Sequence, residues 1–483
     1  MEKVRITMQK MTLTLLASCL CGGFAASVAD GATEKVPENA VGVAELAVDP
    51  SAAVRPIKVM NAGNNAPLDA VRHAAWNEFK ALKVPYARTH DIETHYSYGE
   101  ARLCAISALF PNFDADENDP KNYDFTNTDH LLKKWHDAGT QIFFRFGEHS
   151  EDQPRKHFVL PPKDNAKWAR ICEHVIRHYN EGWCDGFKWG IKYWEIWNEP
   201  DIATDFEPNH TMWLGTRQQF FDLFKTTVKH LTAKFPDLKI GGPALCWDRS
   251  FGHDLMKQCR DEGIRPGFFS WHSYGTTPEF LKDKARYYRG MLDELGFTDV
   301  ESIDDEWNYN AGWGQAFHRS LRTMPSLKGA SFAMSMMIVG QDEPVDMMMY
   351  YDFRDASTFN GVFDRLTYKP TKAYWPFIAW RRLAEAGTQV KATLAGETNG
   401  VYAVAAKGAK GNLVVAVCRH TDDDNEFRKR RVKLAVKGRP IPDGTAVKLV
   451  DPWFAYGEAF YPVKDGALEL TLEPNAFAVL ELP

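Results

Sequence analysis

Between about residue 55 and residue 385, short apolar runs typical of β-strands alternate with amphipathic helical stretches. Strands that alternate with helices pair in parallel through βαβ units. Eight such repeats predict an α/β fold, a (β/α)8 TIM barrel with insertions over residues 55–385. The eight runs are "PIKVMNA" (56–62), "VPYAR" (84–88), "QIFFRF" (141–146), "YWEIWN" (193–198), "LKIGGP" (238–243), "GFFSWH" (267–272), "VESIDDEW" (300–307) and "VDMMMYY" (345–351).

The last hundred residues have a different pattern. Runs such as "NLVVAVCRH" and "ALELTLE" alternate or are apolar throughout, and turn residues such as Lys-Gly and Asp-Gly separate them. This pattern predicts an antiparallel β-sandwich domain over residues 386–483. The N-terminal segment 30–54 contains "VGVAELAVDP" (41–50), which could add a strand to that domain.

Residues 1–29 have the pattern of a secretory signal peptide. Basic residues are followed by an apolar run that is too short to favour a membrane-spanning helix, and small residues follow at the expected cleavage site. We therefore expect a secreted or periplasmic protein. An alternative is that "LASC" (16–19), which resembles a lipoprotein box, directs acylation of Cys19. We find no later stretch that could span a bilayer.

Composition excludes some classes of partner. The net charge of −6 gives no basic surface for nucleic acid. Eight cysteines are present, and removal of residues 1–29 takes away Cys19 and Cys21. The other six allow 15 disulfide pairings, although Cys172 and Cys418 lie in apolar patterns that favour buried thiols. No clustered Cys/His pattern indicates a zinc site. The oligomeric state stays open.

Two glutamates lie where the chemistry of a barrel takes place, at the C-terminal ends of its strands. Glu199 directly follows the fourth predicted strand, and Glu306 ends the seventh. Strands four and seven face each other across the barrel mouth, so both side chains can enter one cleft. Asp304 and Asp305 compete with Glu306. Strand alternation places Asp304 on the side of Glu306, one layer deeper, and Asp305 on the other side.

Two facing carboxyl groups are the minimal equipment for breaking a glycosidic bond, since one donates a proton and the other attacks or activates water. An apolar wall and a neighbouring charge can separate their pKa values. Trp194, Trp197 and Trp307 offer such a wall, and Asn198 offers an amide to a sugar hydroxyl.

Three motifs in this order, "WNEPD" (197–201), "FFSWHSYG" (268–275) and "DDEWNYN" (304–310), resemble those of glycoside hydrolase family 39. That family contains β-xylosidases and α-L-iduronidases and belongs to a large clan of retaining barrel glycosidases. The resemblance covers most of residues 45–385. It implies a carbohydrate substrate, a C-terminal β domain, and neither a metal ion nor an organic cofactor.

By this resemblance Glu199 is the acid/base and Glu306 the nucleophile. His272 either hydrogen-bonds a ring hydroxyl or holds a carboxylate, while Tyr274 either donates to Glu306 or packs in the wall. The remaining residues expected to bind substrate are Asn198, His90, Trp307 and Arg145.

One segment departs from the family pattern. The third strand is followed by "FGEHS" and carries Arg145, where a more apolar stretch is expected. Arg145 could meet an acidic or heavily hydroxylated sugar, or it could pair with an acid inside the barrel.

The expected function is retaining hydrolysis of a plant or host polysaccharide or oligosaccharide, with exo action on a pentosyl or uronosyl unit. An arabinofuranosidase or an endo-glycanase of the same clan would keep both glutamates and change the substrate. A non-catalytic, secreted glycan-binding protein is the alternative from another class.

Overall fold

The computed structural model describes residues 42–67, 73–94, 101–151, 155–202, 212–355 and 357–483. The expected signal peptide and Cys19 lie outside these residues. Among the helices within them, none has the length and apolar character needed to cross a membrane.

The described residues form twenty strands and ten α-helices. The strands are β1 (Val43–Pro56), β2 (Val59–Asn64), β3 (Tyr86–Arg88), β4 (Ile92–Thr94), β5 (Ala101–Leu103), β6 (Gln141–Phe146), β7 (Tyr193–Ile196), β8 (Lys239–Leu245), β9 (Phe268–Gly275), β10 (Glu301–Tyr309), β11 (Met347–Tyr350), β12 (Thr388–Gly396), β13 (Val401–Lys407), β14 (Leu413–Arg419), β15 (Arg430–Val436), β16 (Ala446–Val450), β17 (Ala455–Phe460), β18 (Val463–Lys464), β19 (Ala467–Leu472) and β20 (Phe477–Leu482). The helices are α1 (His73–Leu82), α2 (Ile106–Leu109), α3 (Thr126–Asp137), α4 (Asn165–Asn180), α5 (Arg217–Lys234), α6 (Arg249–Asp261), α7 (Glu279–Glu294), α8 (Phe317–Thr323), α9 (Leu327–Asp342) and α10 (Trp375–Ala386).

Eight parallel strands close into a barrel in the order β2, β3, β6, β7, β8, β9, β10 and β11, with β11 pairing back to β2. Each of the eight predicted runs supplies one strand, so the predicted barrel is confirmed.

The helix α4 shows the local signals that indicate a helix in the sequence. Its N-cap Asp164 accepts hydrogen bonds from the backbone N–H groups of Ala166 and Lys167, and its apolar face is buried.

The barrel interior is layered. An apolar layer fills its lower part and includes Phe143, Tyr193, Phe268 and Ile303. Polar residues of the same strands lie nearer the C-terminal ends, so charge is concentrated toward the mouth. This division positions the candidate site, because the apolar layer closes the floor and the polar layer supports the residues above it.

A second, mostly antiparallel sheet has the strand order β17-β16-β20-β14-β13-β12-β1-β15-β19-β18. Strand β1 lies antiparallel to β12 and parallel to β15. Leu434 and Leu470, near one end of this order, share one hydrophobic core with Val415 and Leu480, nearer the other end. The sheet therefore folds over itself, as the predicted C-terminal β-sandwich requires.

The cysteines of the described chain are free thiols. Cys172 and Cys418 are buried, as expected. Cys418 lies where the β domain packs against the barrel helices, and its thiol donates to the backbone oxygen of Ser331 in α9.

Candidate active site

Glu199 and Glu306 meet at the barrel mouth. Glu199 follows β7, and its backbone N–H donates to the carbonyl oxygen of Ala244 at 2.9 Å. Glu306 lies in β10. Both residues are buried, with exposures of 7% and 5%. One carboxyl oxygen from each glutamate and one ring nitrogen of His272 lie within 4.8 Å of one another. Residues far apart in the chain thus face each other in one cleft.

Burial raises the pKa of Glu199 to about 7, although a hydrogen bond from Cys246 and the charge of Arg88 oppose this rise. Its Oε1 lies 2.7 Å from Nδ1 of His272. A carboxyl group with this pKa keeps its proton in a large share of molecules at neutral pH. Glu199 is therefore suited to donate a proton.

Glu306 has a different set of neighbours. The hydroxyl of Tyr274 donates to its Oε1 at 2.5 Å, and Nη1 of Arg88 donates to its Oε2 at 3.3 Å. Burial, with a smaller contribution from the neighbouring Glu199, raises the pKa of Glu306 above its ordinary value, although His272, Arg88 and the Tyr274 hydroxyl oppose this rise. Two donors that favour the ionised form suit this carboxylate to attack carbon.

His272 bridges the two glutamates. Its Nδ1 contacts Glu199, and its Nε2 lies 3.5 Å from Oε2 of Glu306. Burial lowers the pKa of His272 to about 4, so the imidazole is neutral at neutral pH. Of the two roles expected for His272, the structure supports the holding of a carboxyl group.

Arg88, at the end of β3, is the cation beneath the glutamates, and it is not among the site residues predicted from the sequence. It is completely buried. Its guanidinium donates to Glu195 at 2.6 Å, to Asn64 at 2.9 Å and to Asn198 at 2.7 Å, besides Glu306. An arginine at the end of a short apolar barrel strand needs acidic partners inside the barrel. The sequence "YAR" therefore contained a signal that could have identified Arg88.

Asp305 lies on the inner side of the barrel, which corrects the expectation from strand alternation. The pairing of β10 with β9 slips between Asp304 and Glu306. This bulge turns Asp305 inward, 3.1 Å from Nε of Arg88, and leaves Asp304 on the outer side, where it accepts from Ser273. An extra residue at a bulge reverses the alternation on one side of it.

Glu195 and Asp305 share the single charge of Arg88. Burial opposes ionisation of Glu195, but the Arg88 charge and hydrogen bonds hold its pKa below its ordinary value. Burial and the neighbouring Glu195 raise the pKa of Asp305 well above its ordinary value. Arg88 therefore favours ionisation of Glu195 more than that of Asp305.

Asn198 and His90 both border this group. The side-chain oxygen of Asn198 accepts from Arg88, and its amide nitrogen donates to Sδ of Met212 at 3.8 Å. The Nδ1 atom of His90 lies 3.5 Å from Nη1 of Arg88, and its ring meets the ring of Tyr351 edge-on at 5.2 Å. Both residues therefore lie close to Arg88, and their expected roles in binding substrate stay predictions.

Trp307 does not contact the cleft, which corrects the expectation that it binds substrate. Because Glu306 faces inward, the next residue faces outward. Trp307 is completely buried and packs against Phe332 of α9 and Tyr350. Trp194 and Trp197 are buried in the same outer core. The apolar wall expected from these three tryptophans is therefore not part of the site.

Arg145 pairs with an internal acid, the second of its two expected roles. Its Nη2 donates to Oδ1 of Asp91 at 2.9 Å. Its Nε and Nη1 donate to the backbone oxygens of Thr89 and Glu148. With its donors engaged in this way and only 4% of its surface exposed, Arg145 does not present a free cation to a substrate.

The trio of Glu199, His272 and Glu306 has donor atoms at a spacing that a metal ion could also accept. The surroundings of its two glutamates instead differ in the way that a proton donor and a nucleophile require. A proton donor and a nucleophile on opposite sides of one cleft can carry out an acyl or glycosyl substitution.

The family model described as "Glycosyl hydrolases family 39" matches residues 51–300, which include Glu199 and His272 but end before Glu306. A β-xylosidase from Geobacillus stearothermophilus is 25% identical over 210 residues, 41% of this chain and 39% of that protein. A β-xylosidase from Caldicellulosiruptor saccharolyticus is 23% identical over 325 residues, 62% of this chain and 61% of that protein. The chain thus spans less than two thirds of the length of these curated relatives.

Solved structures share the fold over nearly the whole chain. A glucosidase from Croceicoccus marinus superposes with a TM-score of 0.70 at 19% identity, over 91% of this chain and 98% of that one. A monomeric β-xylosidase from Caulobacter crescentus gives a TM-score of 0.66 at 13% identity, over 90% of this chain and 99% of that one. Since the family model covers more than half of the sequence, the chain belongs to glycosyl hydrolase family 39.

Proposed function

We propose that this chain is a retaining glycosidase in which Glu199 is the acid/base and Glu306 the nucleophile. The observation that carries the proposal is the approach of the two carboxyl groups, whose nearest ligand atoms lie within 4.8 Å. Retaining enzymes hold their carboxyl groups about 5–5.5 Å apart, whereas inverting enzymes need about 6.5–9.5 Å to admit a water molecule. The spacing leaves no room for that water.

In the first step, an oxygen of Glu306 attacks the anomeric carbon and forms an ester bond to the sugar. The bond from this carbon to the leaving oxygen breaks, and the proton of Glu199 passes to that oxygen. The hydroxyl of Tyr274 and the guanidinium of Arg88 hold the attacking carboxylate in place until its charge is consumed.

In the second step, Glu199 is ionised and takes a proton from a water molecule. The water oxygen bonds to the anomeric carbon, and the ester bond to Glu306 breaks. This restores the carboxylate of Glu306 and the proton of Glu199, so the net reaction is hydrolysis with retained configuration. Neither step uses a metal ion, and dialysis against EDTA should leave the rate unchanged.

The substrate we propose is an oligosaccharide with a terminal β-xylosyl unit, which the enzyme releases by exo action. Two relatives named as β-xylosidases support the pentosyl unit. A uronosyl unit has less support, because Arg145 is paired with Asp91 and Arg354 is paired with Asp352 at 2.6 Å. Both arginines therefore already have carboxylate partners.

A panel of 4-nitrophenyl glycosides tests the substrate, and β-xyloside should be hydrolysed fastest. Preference for the α-L-arabinofuranoside would move the chain to the alternative enzyme class. Binding of xylan fragments without turnover of any member would support the non-catalytic alternative. Products released from xylohexaose separate exo from endo action, since exo action yields xylose from the first time point.

Two variants test the assigned roles. Glu306→Ala should abolish turnover, and added azide should restore part of it by attacking in place of the carboxylate. Glu199→Ala should slow substrates with poor leaving groups far more than 2,4-dinitrophenyl glycosides. Glu294→Ala, which removes an exposed glutamate at the end of α7, is the matched control and should leave both rates unchanged.

We also propose that the chain is exported after cleavage at residue 29. Mass spectrometry of the mature N-terminus distinguishes this from acylation at Cys19, because the acylated form would begin at that cysteine and carry the mass of its lipid.

A further inference from the structure

Trp247 has a large apolar side chain that is exposed to solvent beside the candidate site. Its exposed fraction is 63%, and it lies in the loop that follows β8. The loop nevertheless holds it firmly. Its backbone N–H donates to Oδ2 of Asp201 at 2.8 Å, and its indole Nε1 donates to the backbone oxygen of Asp201 at 3.3 Å.

Asp201 ties the Trp247 loop to the loop that carries Glu199. Its buried carboxylate accepts from three consecutive backbone N–H groups, those of Cys246 at 3.0 Å, Trp247 at 2.8 Å and Asp248 at 2.8 Å. Since Asp201 is only two residues beyond Glu199, the ring of Trp247 is fixed relative to the acid/base residue.

Cys246 places the same loop directly against the acid. Its side chain is hydrogen-bonded to the carboxyl group of Glu199. Trp247 is the next residue in the chain, so its backbone lies close to the loop that carries Glu199. Another exposed tryptophan of the mouth, Trp313, lies on the nucleophile side instead, with its ring 5.9 Å from that of Tyr274.

The chemistry that Trp247 offers is apolar. Its single hydrogen-bond donor is already taken by Asp201, so the exposed part of the ring provides only its carbon surface. The C–H-rich face of a sugar ring can bury apolar area against such a surface. The sugar attached to the leaving oxygen must lie beside Glu199, because that residue has to reach the oxygen.

We propose that Trp247 is the stacking platform for the leaving-group sugar, and so forms the first subsite on that side of the bond that is cleaved. This inference rests on the proposed function, since it takes Glu199 as the acid. It assigns to Trp247 the binding of the part of the substrate that leaves, while the sugar that is retained is bound by residues around Glu306.

The first experiment compares two substrates of different leaving-group size. Xylobiose carries a leaving sugar, whereas β-D-xylopyranosyl fluoride has a leaving group of one atom that cannot reach Trp247. Trp247→Ala should lower kcat/KM for xylobiose roughly ten-fold and leave that for the fluoride unchanged. Trp247→Phe, which keeps an aromatic face, should recover most of the loss.

The second experiment observes the same subsite without the leaving step. A 2-deoxy-2-fluoroxylosyl group is first bonded covalently to the nucleophile, which inactivates the enzyme. Added methyl β-xyloside then reactivates the enzyme by accepting this sugar. Trp247→Ala should slow this acceptor-dependent reactivation roughly ten-fold and leave reactivation by water unchanged. Trp453→Ala removes another exposed tryptophan, 72% exposed on the β domain, and should change neither rate.

The outcomes separate this inference from the proposed function. If Trp247→Ala lowers the rates on xylobiose and the fluoride by the same factor, the ring has only a structural role and the platform is refuted. If neither rate changes, the platform is also refuted. If the wild-type chain hydrolyses neither substrate, the proposed function fails and the platform fails with it.

Discussion

Tyr274 donates a hydrogen bond to Glu306, with 2.5 Å between its hydroxyl oxygen and Oε1. Replacement by phenylalanine keeps the ring and removes this donor. A hydrogen bond to a charged group contributes about 1.5–3 kcal/mol, so Tyr274→Phe should lower kcat/KM on 4-nitrophenyl β-xyloside roughly 10- to 150-fold. The acidic limb of the pH profile should also move to higher pH, because the ionised form of Glu306 loses support. Unchanged kinetics would assign Tyr274 to simple wall packing.

The pKa of Glu199, raised to about 7 by burial, sets the alkaline limb of activity. The acid must be protonated to assist departure, so kcat/KM should fall as pH rises through about 7. A profile of kcat/KM between pH 4 and pH 9 measures this limb. In Glu199→Gln the remaining activity on a 2,4-dinitrophenyl glycoside should lose the limb. A limb that persists in this variant would belong to another group.

The raised pKa of Glu199 also predicts that the folded protein loses stability as pH rises. Glu199 has an ordinary value of 4.5 and is raised in the folded state, so folding holds its proton more tightly. The contribution of this carboxyl group to the free energy of unfolding is fully present below pH 4.5 and is lost as pH rises through about 7. Relative to wild type, Glu199→Gln should therefore gain up to roughly 3 kcal/mol between pH 4 and pH 8. Urea unfolding at both pH values measures the difference, and an equal effect at both would contradict it.

Arg88 is the cation that pairs with the buried acids Glu195 and Asp305. Arg88→Met should destabilise the fold by about 3–5 kcal/mol, because Glu195 is left as an unpaired buried charge. The double variant with Glu195→Gln should recover much of that stability in urea unfolding and remain inactive, since Glu306 and Asn198 still lack their donor.

A matched control for Arg88 is Arg260, whose side chain is 44% exposed and which pairs at 2.7 Å with Asp261, whose side chain is 45% exposed. Arg260→Met should cost less than about 1 kcal/mol, as surface pairs do. Equal losses in the two single variants would show that the inner layer has no special dependence on its cation.

Sequence pattern was sufficient for the barrel and for the two glutamates. The eight apolar runs have the length and spacing of barrel strands, and Glu199 and Glu306 were found because strand ends meet at one face. Strand alternation counted from Glu306 would also have placed Trp307 on the outer face. Trp307 was wrongly expected to bind substrate because its aromatic side chain was considered and its position in the strand was not.

Other features depend on contacts that no local pattern encodes. The bulge that turns Asp305 inward arises from the pairing of β10 with β9, and no glycine or proline marks it. The choice of Asp91 as partner of Arg145 depends on how two neighbouring strands are aligned. Likewise, the link from Asp201 to Trp247 joins loops after different strands and is visible only in three dimensions.

In the proposed mechanism, Glu306 becomes covalently bonded to the sugar while Glu199 does not. Inactivation with 2,4-dinitrophenyl 2-deoxy-2-fluoro-β-xyloside, followed by mass spectrometry of the peptides, tests it most directly. We predict one added 2-fluoroxylosyl group, located on Glu306. A label on Glu199, on Asp305 or on any other residue would rule out Glu306 as the nucleophile, as would steady turnover without a trapped sugar.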